Sequence, residues 1–221
     1  MLRRDQWLWL TVVTVVSTAI ALFGHFNYAS DWYEVAAFVT AVVGLYLLVQ
    51  EVIWNWPILI VSSVVWFWVF LQGKLYADMS LQVFYVVVLF HGWWSWARKG
   101  EDKTVIQVSR LRSKYWPWVV LSIVGGTALY VPIVTAIKGA APFWDSLLTV
   151  LSYVGQFMQN RKIIENWPVW ILVNIGYTAL YWTRHLYLAT ILAVILFGFA
   201  VYGWIVWKKP LDQAHLPSPQ A

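Results

Sequence analysis

Asn174 and Gln82 sit deep inside apolar runs of the chain. A side-chain amide there has no water to pair with and must find another partner. Asn174 shares a helical face with Trp167, Trp170 and Tyr177, at spacings i, i+3, i+7 and i+10. In the preceding run Asp145, Thr149, Ser152 and Gln156 fall at i, i+4, i+7 and i+11, again one face. A poorer set lies earlier: Glu34, Ser62, Ser63, Trp66, Gln82 and Tyr85. Amides that hydrogen-bond and aromatic rings that stack make a binding site. Catalytic groups are missing. With no Cys there is no thiolate nucleophile or metal ligand, and no HExxH, GxSxG or P-loop motif occurs. Of the four His (His25, His91, His185, His215) only His91 reads as deep, and none pairs at helical spacing. A haem-containing membrane enzyme, which needs axial ligands, is therefore a remote alternative. No catalytic residue, metal or cofactor is expected.

Each of these residues also has a plainer role. Ser62, Ser63, Thr149 and Ser152 could bond the carbonyl four residues back. Glu34 and Asp145 could be helix N-terminal acids at the outer interface, favoured by the dipole, or the coupling carboxylates of an ion-driven carrier. Trp56, Trp93, Trp96, Trp167, Trp204 and Trp207 lie near the ends of apolar runs, where tryptophan anchors a membrane protein. Gln82 and Asn174 favour contact with a substrate over helix–helix bonding.

The positioning elements are membrane spans. Of 221 residues, 61% are hydrophobic and 11% charged, against about 25% charged in a soluble domain. Eight runs approach the length of roughly 20 residues that crosses a bilayer: 7–28, 33–50, 57–72, 79–97, 116–137, 144–160, 168–183 and 187–207. With the N-terminus inside, the inner segments hold every Lys and Arg except Lys74, Lys138 and Arg184. The positive-inside rule thus gives eight spans with both termini cytoplasmic. The net charge of +5 is topological and implies no nucleic-acid partner.

Two of these spans begin with the same three residues, Asn55-Trp56-Pro57 and Asn166-Trp167-Pro168, an offset of 111. The offset also aligns Glu34 with Asp145, Gly44 with Gly155, Trp66 with Tyr177, Leu75-Tyr76 with Leu186-Tyr187, and Gly92-Trp93 with Gly203-Trp204. A three-helix unit therefore occurs twice. One span separates the copies, so both enter the membrane from the same side, a parallel repeat about an axis along the membrane normal. The expected layout is residues 1–30 as an N-terminal accessory helix with its cytoplasmic end, 31–99 as repeat 1, 100–140 as cytoplasmic loop and linker helix, 141–209 as repeat 2, and 210–221 as a disordered cytoplasmic tail. Substrate would sit near the midplane between the repeats. The polar equipment is unequal: Asn174 stands where repeat 1 has Ser63, and Ala193 where it has Gln82.

The segments "FWDS" (Phe143–Ser146), "RKIIENWPVWILVN" (Arg161–Asn174) and "LYADMSLQVFY" with the following "HGWWSW" (Leu75–Trp96) resemble the PnuC family of bacterial nicotinamide riboside transporters over roughly residues 30–209. Family members often carry Tyr before the glycine at position 92, where this chain has His91. The resemblance implies an all-α polytopic protein of the bacterial plasma (inner) membrane. Its SWEET-like fold would have three, one and three helices (3+1+3), with the first helix here as an extra. It implies a homotrimer, and facilitated diffusion of nicotinamide riboside that a cytoplasmic riboside kinase makes one-way. It places the substrate at Trp170, Asn174 and Tyr177 with Gln82, Gln156 and neighbouring aromatics, here Trp66, Tyr85 and Trp167. The ligand's cationic pyridinium suits aromatic faces, and its carboxamide and hydroxyls suit amides. The alternative is a related carrier of thiamine or another vitamin-like cation.

Overall fold

The computed structural model describes residues 4–49, 52–98 and 108–213. All eight apolar runs are helices: α1 (Arg4–Tyr28), α2 (Trp32–Val49), α3 (Asn55–Gln72), α4 (Tyr76–Arg98), α5 (Trp116–Ala136), α6 (Pro142–Asn160), α7 (Asn166–Thr183) and α8 (Tyr187–Gln213). There is no named strand among the described residues; one isolated bridge pairs Ser109 with Ile163. Among the described residues, four helical stretches are long and apolar enough by length and composition to cross a membrane: Trp7–Tyr28, Asn55–Gln72, Ser113–Ala136 and Tyr187–Ile205. The helix α8 runs on past Pro210 to Gln213, so the segment expected to be a disordered tail from 210 begins as helix. Residues 214–221 and 99–107 of the expected tail and loop lie outside the described residues.

Packing follows chain order. Helix α3 lies between α2 and α4, and α7 between α6 and α8. The two triplets meet where α4 packs on α6 and α2 on α8. Helix α1 lies against α2 and α8, while α5 rests mainly on α6 with most of its surface exposed.

Local contacts repeat at the 111-residue offset. Asn55 Nδ2 donates to the Val52 carbonyl at 2.6 Å, and Asn166 Nδ2 to the Ile163 carbonyl at 2.5 Å, so each Asn clips the turn ahead of its helix. Pro57 and Pro168 fall in the first turn, where a missing N–H costs nothing. A Cβ added to Gly92 would run into the indole of Trp56, and one added to Gly203 into that of Trp167. Only glycine lets α4 approach α3, and α8 approach α7, over these rings. At the far ends of α3 and α7, Lys74 and His185 take the left-handed conformation (φ 55° and 60°), and the next amide in each case, Leu75 or Leu186, returns to a carbonyl in the last turn.

The two acids at the start of α2 and α6 have an unexpected role. Both are buried: Glu34 is 4% and Asp145 0% exposed. Both stand in the first turn of their own helix, as expected, but their carboxylates reach to another helix. The Asp145 carboxylate accepts the backbone N–H groups of Ala77 and Asp78, both at 3.0 Å, at the start of α4. The Glu34 carboxylate accepts those of Leu188 (3.0 Å) and Ala189 (3.4 Å), at the start of α8. The offset of 111 carries one cap onto the other. Each triplet thus supplies the acid that satisfies orphan amides of the other triplet's last helix.

Asp145→Ala should strip acceptors from two buried amides and cost about 2–5 kcal/mol. Asp145→Asn keeps one acceptor oxygen and should cost less. Thermal melts in detergent should therefore rank wild type above Asp145→Asn above Asp145→Ala. Equal melting of all three would mean that the cap contributes no stability.

Candidate functional site

A cavity of about 110 Å³ lies between α3, α4, α7 and α8, the second and third helices of both triplets. Five pairs of its lining residues are related by the offset: Trp66 with Tyr177, Phe70 with Tyr181, Leu81 with Leu192, Gln82 with Ala193, and Tyr85 with Leu196. The remaining lining residues, Trp170, Val173, Asn174 and Ala189, come from the second triplet alone. A second cavity of about 160 Å³, between α1, α2 and α8, is lined by aliphatic side chains with Tyr46 and Phe199 and offers no amide.

Apart from Leu81 and Leu192, the offset pairs share position while differing in polar groups. On α4, Asp78, Gln82 and Tyr85 follow one helical face; their counterparts on α8 are Ala189, Ala193 and Leu196. On α7, Asn174, Tyr177 and Tyr181 replace Ser63, Trp66 and Phe70 of α3. The polar walls are therefore α4 and α7, and the apolar walls α3 and α8.

Four aromatic rings cross the centre as one stack. Trp66 lies on Phe70 (5.5 Å between centroids), Phe70 on Tyr181 (5.4 Å), and Tyr181 on Tyr177 (4.9 Å), with interplanar angles of 22°, 22° and 11°. The i, i+4 pair of α3 and its counterpart on α7 meet face to face at the junction of the triplets. Behind the two tyrosines lies Asp78, fully buried in the first turn of α4. Its Oδ1 accepts the Tyr177 hydroxyl at 2.5 Å and the Thr149 hydroxyl at 3.1 Å; its Oδ2 accepts the Tyr181 hydroxyl at 2.9 Å. Three donors from α6 and α7 thus converge on one carboxylate of α4.

Other groups of the lining are left for a ligand. Trp66 Nε1 is buried and has no partner among the described residues. Asn174 donates one amide hydrogen to the Trp170 carbonyl at 2.7 Å, which leaves its oxygen and second hydrogen available. Trp170 is fixed by its own indole N–H, which donates to Gln159 Oε1 at 3.1 Å. Among the described residues, no Lys, Arg, His, Asp or Glu lines the cavity.

Of the eight site residues named from sequence, Trp66, Gln82, Tyr85, Trp170, Asn174 and Tyr177 line this cavity. Gln156 and Trp167 lie elsewhere. Gln156 Nε2 donates to Asn160 Oδ1 at 2.8 Å, and the Trp167 ring packs on Gly203 and edge-on to Trp207 (5.0 Å). His91, read as deep, is exposed on α4. Ser152 bonds the carbonyl four residues back at 2.8 Å, whereas Ser62 reaches across to the Ala37 carbonyl at 3.0 Å and Thr149 to Asp78. The sequence reading missed Phe70, Tyr181 and Asp78. The offset would have found the first two, because Tyr181 is the counterpart of Phe70 exactly as far along as Tyr177 is of Trp66. Asp78 escaped because the apolar run was begun at residue 79.

A family model described as nicotinamide mononucleotide transporter matches residues 31–209. The chain is similar to the nicotinamide riboside transporter PnuC of Escherichia coli (strain K12), 25% identical over 210 residues that cover 83% of this chain and 88% of that one. It is also similar to the riboflavin/roseoflavin transporter RibM of Streptomyces davaonensis, 25% identical over 149 residues, 65% of this chain and 69% of that one. The crystal structure of the vitamin B3 transporter PnuC superposes with a TM-score of 0.69 at 25% identity, covering 96% of this chain and 94% of that one.

A double-mutant cycle tests the buried network. Asp78→Leu and Tyr181→Phe should each lower the melting temperature. The double variant should lose less than the sum, with a coupling of about 1–3 kcal/mol. Strict additivity would mean that the hydroxyl and the carboxylate do not support each other.

Proposed function

The chain belongs to the nicotinamide mononucleotide transporter family, and on that premise we propose that it takes up nicotinamide riboside across a bacterial inner membrane. It is a multi-pass membrane protein of eight helices. The observation that carries the substrate assignment is the lining of the central cavity, which is aromatic and amide-bearing and holds no charged side chain. A riboside presents a flat cationic ring, a carboxamide and hydroxyls. Stacked rings attract the first, and the amides of Gln82 and Asn174 with the Trp66 indole N–H pair with the others. A mononucleotide adds a phosphate, which needs a cationic or helix N-terminal donor, and the lining supplies no Lys or Arg. The riboside therefore fits better than the nucleotide.

In this reading α2–α4 and α6–α8 are the two parallel repeats of a SWEET-like 3+1+3 arrangement. Helix α5 is the linker and α1 the extra helix. Residues 31–99 and 141–209 are the repeating units, and both termini face the cytoplasm. The substrate residues are Trp66, Gln82, Tyr85, Trp170, Asn174 and Tyr177. Movement is facilitated diffusion by alternating access of the cavity. Phosphorylation by a cytoplasmic riboside kinase traps the product, and the assembly is a homotrimer. These last features rest on the family resemblance; the two carboxylates that an ion-coupled carrier would use, Glu34 and Asp145, are engaged with backbone amides.

Uptake of labelled nicotinamide riboside into proteoliposomes tests the reading. Empty vesicles should fill only to the external concentration, and vesicles loaded with riboside kinase and ATP should accumulate label. Accumulation driven by a proton or sodium gradient alone would overturn facilitated diffusion. Asn174→Ala and Trp170→Ala should each weaken binding by about tenfold or more, as loss of a buried hydrogen bond or ring contact does. Gln156→Ala should stay within about twofold, as surface substitutions do. Tighter binding of thiamine or riboflavin than of nicotinamide riboside would replace the substrate.

A further inference from the structure

Asp78 is an acid with no counter-ion among the described residues. A buried carboxylate is normally paired with a cation or a metal, and inside a membrane such a residue marks a function. Among the described residues the partners of its side chain are three hydroxyls, those of Thr149, Tyr177 and Tyr181. The other nearby acid, Asp145, accepts the Asp78 amide and adds negative charge. Three donated hydrogen bonds occupy both of its oxygens, and it stands in the first turn of α4.

Two of those three donors are also walls of the cavity. Tyr177 and Tyr181 put their hydroxyls on Asp78 and their rings in the stack that crosses the site. A phenol that donates to a carboxylate becomes more electron-rich, which strengthens the attraction of its face for a cation. The field of the carboxylate itself is weakly screened in a dry interior. The device exists on one side only. The offset counterpart of Asp78 is Ala189, which lines the cavity directly, and the counterparts of the tyrosines are Phe70 and Trp66, which carry no hydroxyl.

We propose that Asp78 is a specificity-determining residue which, acting through Tyr177 and Tyr181, makes the cavity select a cationic ring over a neutral ring of the same shape. It is a positioning residue, one layer behind the substrate, and the cation it lacks is the substrate's. This proposal rests on the transport reading above and names the charge basis of its selectivity.

The test compares two ligands that differ in ring charge: nicotinamide riboside and its neutral 1,4-dihydro form. Binding of both is measured on purified full-length protein by calorimetry. Wild type should prefer the cation by about tenfold or more. Asp78→Asn should lower that preference about tenfold, through the Kd of the cation, and leave the Kd of the neutral form within about threefold. Asp78→Glu should restore part of the preference. Tyr181→Phe and Tyr177→Phe keep the acid and the rings, and each should lower the preference in part. These two decide the matter if Asp78→Asn does not fold. Equal weakening of both ligands across the variants would make Asp78 a structural support and overturn the proposal, as would an unchanged preference. If wild type binds neither ligand, the transport reading fails and the proposal with it. Wild-type binding with no charge preference sinks the proposal alone.

Discussion

A helix that starts inside a membrane-spanning protein exposes amides that have no intrahelical partner, and no water is at hand to satisfy them. This chain meets that constraint twice in the same way. The last helix of each triplet begins against a carboxylate from the first helix of the other triplet: Asp145 on α4, Glu34 on α8. Neither triplet can complete its own last helix. The caps therefore do two jobs, supplying acceptors and fixing how the triplets sit against each other. The opposite ends of the helices are fixed within each triplet instead, by Trp56 on Gly92 and Trp167 on Gly203. Any rocking of one triplet against the other has to keep or break the four capping bonds.

The scaffold is duplicated and the chemistry is not. Several interactions that hold the helices together are reproduced at the offset: the caps, the Asn clips, the Trp–Gly contacts and the left-handed turns at Lys74 and His185. Among the side chains that line the cavity, four of the five offset pairs diverge, Leu81 and Leu192 being alike. Gln82 faces Ala193, Tyr85 faces Leu196, and the Phe70 ring gains a hydroxyl in Tyr181. A twofold cavity would offer like groups to both ends of a ligand. This one offers a polar side built from α4 and α7 and an apolar side from α3 and α8, so a molecule with unlike ends has one preferred orientation.

Much of this was legible in the sequence because a bilayer leaves few alternatives. Runs of bilayer length had to be helices, and the eight runs and eight helices coincide within a few residues, the widest gap being the extension of α8 to Gln213. The repeated Asn-Trp-Pro was readable because each copy starts a helix. Part of the cavity lining was readable too, since Trp170, Asn174 and Tyr177 share a face of α7. Periodicity gives a face, though, and says nothing of depth or neighbour. Gln156 shares a face with Thr149 and Ser152 but lies one to two turns further along α6, where its partner is Asn160. Trp167 shares a face with Trp170 but sits in the first turn of α7, where it meets Gly203. The reach of Glu34 and Asp145 to another triplet is a tertiary fact with no local signature. Asp78, one residue ahead of the apolar run 79–97, has its partners on α6 and α7, equally beyond the reach of local pattern.

The arrangement of charge around the cavity bears on how a carrier releases what it binds. Conduction across a membrane needs a site attractive enough to be entered and weak enough to be left. A carboxylate touching a cationic substrate in a dry interior would hold it by a strong, poorly screened attraction. Here the layer in contact is neutral, made of rings and amides, and the nearest carboxylate stands behind two tyrosine hydroxyls. The rings transmit part of its field and keep the charges apart. On the proposed reading, selectivity for charge and ease of release fall to different residues, Asp78 for the first and the amides of the lining for the hydrogen bonds that must be broken on leaving. The absence of a charged side chain from the cavity wall is, on this view, a requirement of turnover as much as of recognition.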